Sequence, residues 1–247
     1  MPHANRSTLR QRLRRMVATF LTTEVRGTRS AWLKPTYEGL EDRSLLAVAT
    51  WTGAVSNDWQ SPLNWSNGYL PSQDDTVVLA NSNRKNIINV TGAVSKMEFN
   101  SVGYVLNGLP DQSLLVSRID FNQSANVQVK TFLQSTTAEP NSRLIIQANR
   151  QAQFGELHVG STVSVGGFGM FRMVVDSLNI NESLSIVQTD GVSTQGFLDI
   201  TGSLSGDGGA LVSQGNVALS IADGTGFDGD ILTNGGEVTV SGNLSDS

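Results

Sequence analysis

The sequence predicts an all-β fold, a parallel β-helix or solenoid with coils of about 20 residues, behind a basic N-terminal arm. Three observations carry this. The 247 residues include 25 glycines and no cysteine, with 6% aromatic and 16% charged residues, a composition suited to short strands and tight turns. Apolar pairs recur as Leu157-x-Val159, Leu178-x-Ile180, Leu198-x-Ile200, Val217-x-Leu219 and Val238-x-Val240, a regular repeat of about 20 residues. A second series (Val163-x-Val165, Leu184-x-Ile186, Leu204, Leu244) follows the first at a six-residue offset, and a third, looser one runs through Met173-Val174, Val192, Leu211-Val212 and Ile231-Leu232. Three short strands per period are the mark of a parallel β-helix.

The arm comes first in the chain. Residues 1–50 carry a formal +5 and the remainder a formal −10, so the two parts have separate jobs. An acidic body repels phosphate, which argues against nucleic acid as a partner. The apolar stretch Met16-Val17-Ala18-Thr19-Phe20-Leu21 is shorter than the apolar region of an ordinary secretory signal. No segment reaches the ~20 apolar residues that a membrane-spanning helix needs. A short basic helix over residues 7–21 is one reading, with Ser7 or Thr8 as cap and Leu9, Leu13, Val17 and Phe20 on one face. A terminus with no fixed structure is the other.

Near the end of the arm, residues 1–48, stands Leu40-Glu41-Asp42-Arg43-Ser44-Leu45-Leu46. This resembles the LEPR-x-LL motif found after a basic segment near the N-termini of large exported proteins of planctomycete-type bacteria, with Asp42 where that family has proline. The resemblance implies an export or surface-sorting signal carried by Leu40, Glu41, Arg43, Leu45 and Leu46, and hence an extracellular or cell-surface protein.

Residues 49–86 form the next unit. Three of the four tryptophans fall here, in Trp51-Thr52-Gly53, Trp59 and Asn64-Trp65, followed by Gly68, Pro71 and Asp74-Asp75-Thr76-Val77-Val78-Leu79. This resembles the opening module of autotransporter-like β-strand-repeat proteins. A solenoid's first coil has no neighbour beneath it, so bulky rings are expected to cover its apolar end, with Asp74 and Asp75 at the turn before a strand over residues 77–79. The alternative is an aromatic platform of Trp51, Trp59 and Trp65 that stacks on sugar rings.

Residues 87–247 supply the solenoid. Early, less regular strands at Ile87-Ile88-x-Val90, Val94-x-x-Met97-x-Phe99, Leu114-Leu115-Val116, Ile119-x-Phe121, Val127-x-Val129 and Leu144-Ile145-Ile146 lead into the regular coils. Alternation sends Leu, Ile and Val inward and Asn, Ser, Thr and Asp outward. Leu178, Ile180, Leu198, Ile200, Val217 and Leu219 should therefore face the core, with Asn179, Asp199 and Ala218 outside. Leu178, Leu198 and Val217 should stack on one another in adjacent parallel strands. Ser241-Gly242-Asn243-Leu244 opens what reads as a further coil with nothing covering its edge, so the pattern predicts a piece of a longer protein, or else one whose open edge a partner covers.

Catalytic signatures are thin. His3 and His158 are the only histidines, and His158 on a strand reads as an outward side chain. Asp223, Asp228 and Asp230 in an Asp- and Gly-rich turn have the oxygen chemistry for Ca²⁺, but lack the nine-residue repetition of calcium-binding solenoids. No other cofactor is implied. A polysaccharide lyase or hydrolase would need Asp176, Asp190 and Asp199 to converge on Arg172, the only Lys or Arg between positions 151 and 247. The function expected is a non-catalytic scaffold or adhesin whose partners are surface polysaccharide or other envelope proteins. A polysaccharide-binding or polysaccharide-degrading β-helix is the alternative.

Overall fold

Alternating apolar and polar residues give strands that bury one face each, and stacking such strands one coil apart satisfies both the side chains and the backbone. A computed structural model of the chain describes residues 47–135, 142–188 and 194–242. The basic arm, its candidate helix and the candidate sorting motif (Leu40, Glu41, Arg43, Leu45, Leu46) lie outside the described residues. The unit that begins at Ser44 is all-β, a parallel solenoid of about seven turns with coils of about 21 residues.

Its strands in order are β1 (Val48–Thr50), β2 (Thr76–Leu79), β3 (Asn86–Ile87), β4 (Gly92–Phe99), β5 (Tyr104–Leu106), β6 (Ser113–Phe121), β7 (Ala125–Val127) and β8 (Lys130–Leu133). There follow β9 (Ser142–Ile146), β10 (Arg150–Val159), β11 (Val163–Gly167), β12 (Phe171–Ile180), β13 (Ser183–Gln188), β14 (Gly196–Gln214), β15 (Val217–Asn234) and β16 (Val238–Val240). The pairings between these strands are parallel and form three ladders.

Face A stacks β1, β2, the ends of β4 and β6, β9, β11, β13 and the ends of β14 and β15. Face B stacks β3, β5, β7, the starts of β10, β12, β14 and β15, and β16. Face C stacks the starts of β4 and β6, β8, the ends of β10 and β12, and the middles of β14 and β15.

One apolar core runs through the stack, from Ala49 to Phe227. Aromatic rings fill its early coils: Phe99 lies flat on Phe121 with centroids 4.8 Å apart, and Phe121 meets Phe154 edge-on at 5.7 Å. Tyr104 is buried with its hydroxyl donating to the Ala80 carbonyl, and burial pushes its pKa up to about 12.

Leu178, Ile180, Leu198, Ile200, Val217 and Leu219 all face this core, while Asn179, Asp199 and Ala218 lie partly exposed outside it. The expected stacking partners need correction. Val217 lies on the strand next to Leu198 but pairs with Gly196, while Leu198 pairs with Leu219. Leu178 pairs with Leu204, and Leu198 pairs with Met173, so Leu178 and Leu198 stand on different faces. The reason is a longer coil. Repeating the step from Val163 to Leu184 would bring Ser205 onto Leu184, but the residue that pairs there is Leu211. The surplus, from Ser205 to Leu211, equals the six-residue offset between neighbouring series, so a constant count steps from one face to the next. Likewise Leu204 belongs with Leu178 and not with Leu184.

Close approaches fix glycine in this part of the chain, Gly206 and Gly167 among them. Gly206 has φ +134, and a Cβ there would lie 1.9 Å from the Ile180 carbonyl oxygen. At Gly167 a Cβ would lie 1.9 Å from the buried Phe171 ring.

Candidate functional site

The Trp-rich segment buries its three rings against one another. Trp51, Trp59 and Trp65 are only 1%, 2% and 3% exposed. Trp65 meets Trp51 and Trp59 edge-on, with centroids 5.1 and 4.6 Å away. Trp51 Nε1 donates to the Arg84 carbonyl at 2.7 Å and Trp65 Nε1 to the Trp59 carbonyl at 3.0 Å. Buried to this degree, the rings offer no platform to a sugar, and the sugar-stacking alternative for this trio loses its geometry.

Asn64, fully buried beside them, holds the loop. Its Oδ1 accepts from the Val55 and Ser56 amides at 3.0 Å each, and its Nδ2 donates to Ser56 Oγ at 2.9 Å and the Asp58 carbonyl at 2.8 Å. Asp75 ties the turn before β2 by accepting from the Ala47 amide and from the amide and hydroxyl of Ser72.

The Asp-rich segment is not a free turn. Asp223, Asp228 and Asp230 lie within β15, paired respectively with Ser203, Asp207 and Ala210 of β14. Asp223 accepts from the Thr225 amide at 3.0 Å. Among the described residues no three His, Cys, Asp or Glu side chains gather closely enough to hold a metal ion.

His158 lies outward on face C, as expected, within a charged cluster. It stacks on Phe132 at 4.6 Å and contacts Glu156 Oε1 at 2.6 Å, while Lys130 Nζ reaches the same oxygen at 2.8 Å. Burial works to raise the Glu156 carboxyl, but the hydrogen bonds and charges of Lys130 and His158 together outweigh it and hold the carboxyl below its usual range.

The outer surface of face B carries a groove of mixed polar, charged and apolar side chains. Parallel register lines up Gln151, Arg172, Phe197 and Ala218 in one outward column, and Asn126, Gln153, Val174, Asp199 and Ser220 in the next. Over part of these columns lies a cavity of about 640 Å³ lined by Ser124, Asn149, Arg150, Gln151, Met170, Phe171, Arg172, Phe197 and Asp199. A second cavity of about 280 Å³ shares Ser124 and Gln151 with it and continues over β5 and β7 past Val102, Asn126 and Gln153. The two form one trough along the stack.

Within the trough Arg172 Nε donates to Asp199 Oδ2 at 2.6 Å. Asp176 is turned to the next corner, where it accepts from Thr201 Oγ1 at 2.7 Å, and Asp190 lies outside the described residues. Of the set that a lyase would need, the described structure brings together Arg172 and Asp199 alone.

Sequence reading did not single out Arg150, Asn149, Gln151, Gln153, Asn126 or Phe197. The signal existed: once Val127, Phe154, Val175 and Ile200 are known to be successive rungs of face B, the outward neighbours of Arg172 follow by counting. No family model, curated protein or solved structure matches this chain.

Proposed function

We propose that this chain is a non-catalytic extracellular or cell-surface scaffold, an adhesin-like rod that displays its side faces. The observation that carries the reading is the single core running unbroken through coils, each of which is held by the coils directly before and after it. Such a stack resists bending and presents regular outward columns. The rungs of face A from β1 to β15 span about 38 Å at the usual strand spacing of about 4.8 Å. Several charged side chains are paired across or along the strands, as in Lys96 with Glu98 and Asp120, Arg118 with Asp120, and Arg172 with Asp199.

Placement at the surface rests on the resemblance of residues 40–46 to an export motif. Fusing residues 1–50 to a reporter in a planctomycete-type host should carry the reporter out of the cytoplasm, and retention inside would overturn the placement. Incubation of the purified chain with a panel of acidic and neutral polysaccharides should leave their chain lengths unchanged. Depolymerisation lost in Arg172→Gln would replace the scaffold reading with an enzymatic one.

A further inference from the structure

We infer that the trough on face B is a binding site for an extended oligosaccharide bearing carboxylates, a function that goes beyond a scaffold and does not depend on where the protein resides. The trough crosses β5, β7, β10, β12 and β14, four rung steps or about 19 Å at the usual strand spacing. Its larger cavity, about 640 Å³, lies within the range of about 300–1,000 Å³ usual for ligand sites.

Three features select the ligand. Gln151 and Gln153 are uncharged groups that both donate and accept, which suits a partner dense in hydroxyls. Phe197, half-buried, and Met170, 52% exposed, offer apolar surface to the C–H faces of a sugar ring. Arg150 and Arg172 stand against the single carboxylate of Asp199, which leaves the larger cavity with a net positive charge on a body whose net charge beyond residue 50 is −10. Among the described residues Arg150 engages the Asn122 carbonyl through Nε at 3.3 Å, and Arg172 engages Asp199 through Nε. The terminal nitrogens of both forks remain to receive a carboxylate in two parallel hydrogen bonds.

A peptide strand fits the trough less well. The backbone groups of β7, β10, β12 and β14 are already consumed in the ladder on both sides, so face B has no strand edge along the trough to which a peptide could add. Recognition there must pass through side chains.

The test uses the full chain and two soluble probes, tetragalacturonate and the neutral cellotetraose, in calorimetric titrations at low salt. Saturable binding of the uronate is expected, about tenfold tighter than the neutral chain or more, the difference that one charge-assisted pair supplies. Arg150→Gln and Arg172→Gln should each weaken uronate binding by about tenfold without shifting the melting temperature, and Arg172, 57% exposed at its side chain, is the safer variant for folding. Asp199→Asn should strengthen it several-fold, because it releases the Arg172 guanidinium. Absence of saturable uronate binding, equal affinity for both probes, or indifference to all three substitutions would overturn the assignment.

Discussion

At the scale of single residues, stability concentrates where polar groups are buried and fully used. Trp65 joins the rings of Trp51 and Trp59 and donates to the Trp59 carbonyl, so Trp65→Ala should cost about 3–5 kcal/mol in urea unfolding, as aromatic truncations in cores do. Asn64→Ala should cost about 1–3 kcal/mol, because it strands the amides of Val55 and Ser56. Glu156 makes a pH-dependent contribution whose sign follows from its cause. Its folded pKa lies below the ordinary 4.5, so the contribution is complete above the unfolded value and fades as acid protonates the folded carboxylate. The melting temperatures of wild type and Glu156→Gln should therefore converge as pH falls from about 6 to about 3, and a gap that stays constant would refute the Lys130–Glu156–His158 coupling. The buried tryptophan trio could be found from the sequence because tryptophan is scarce and clustered there. Asn64 was visible as part of the same motif, but its hydrogen bonds belong to a loop conformation that no spacing rule encodes.

At the scale of strands, burial of alternate residues was legible and stacking partners were not. Leu198 and Asp199 show the first: adjacent in the chain, one is in the core and one in the outer trough. Leu198→Asp should bury an unpaired charge and unfold several coils, whereas Asp199→Asn should barely change stability. Leu178 shows the second. Its true partner is Leu204, not Leu198, because this coil is longer than those before it, and hydrophobic periodicity alone does not record the length of a coil. The groove was hidden for the same reason, since outward neighbours are known only after the register is known. Gly206 marks the crowded side of this arrangement. Gly206→Ala places a methyl group against the Ile180 carbonyl in a positive-φ conformation, and should cost about 1–3 kcal/mol or more by strain alone, read as a lower melting temperature.

At the scale of the whole molecule, the coils cohere through nearest neighbours, yet one of them keeps a common measure on every face. Val165 lies as far after Leu144 as it lies before Ile186, and the same distance separates Phe154 from Val175 and Val159 from Ile180. That coincidence makes this coil an interchangeable cassette. Excising residues 160–180 joins Val159 to Asn181 with Val159 in the place of Ile180, Phe154 in that of Val175 and Leu144 in that of Val165. The shortened chain should still unfold in one cooperative step, while excision of residues 160–170 removes a face A strand without its companions and should not fold. Gain or loss of such a segment in the gene would thus lengthen or shorten the rod one rung at a time, and with it the reach of the trough, without redesign of anything above or below.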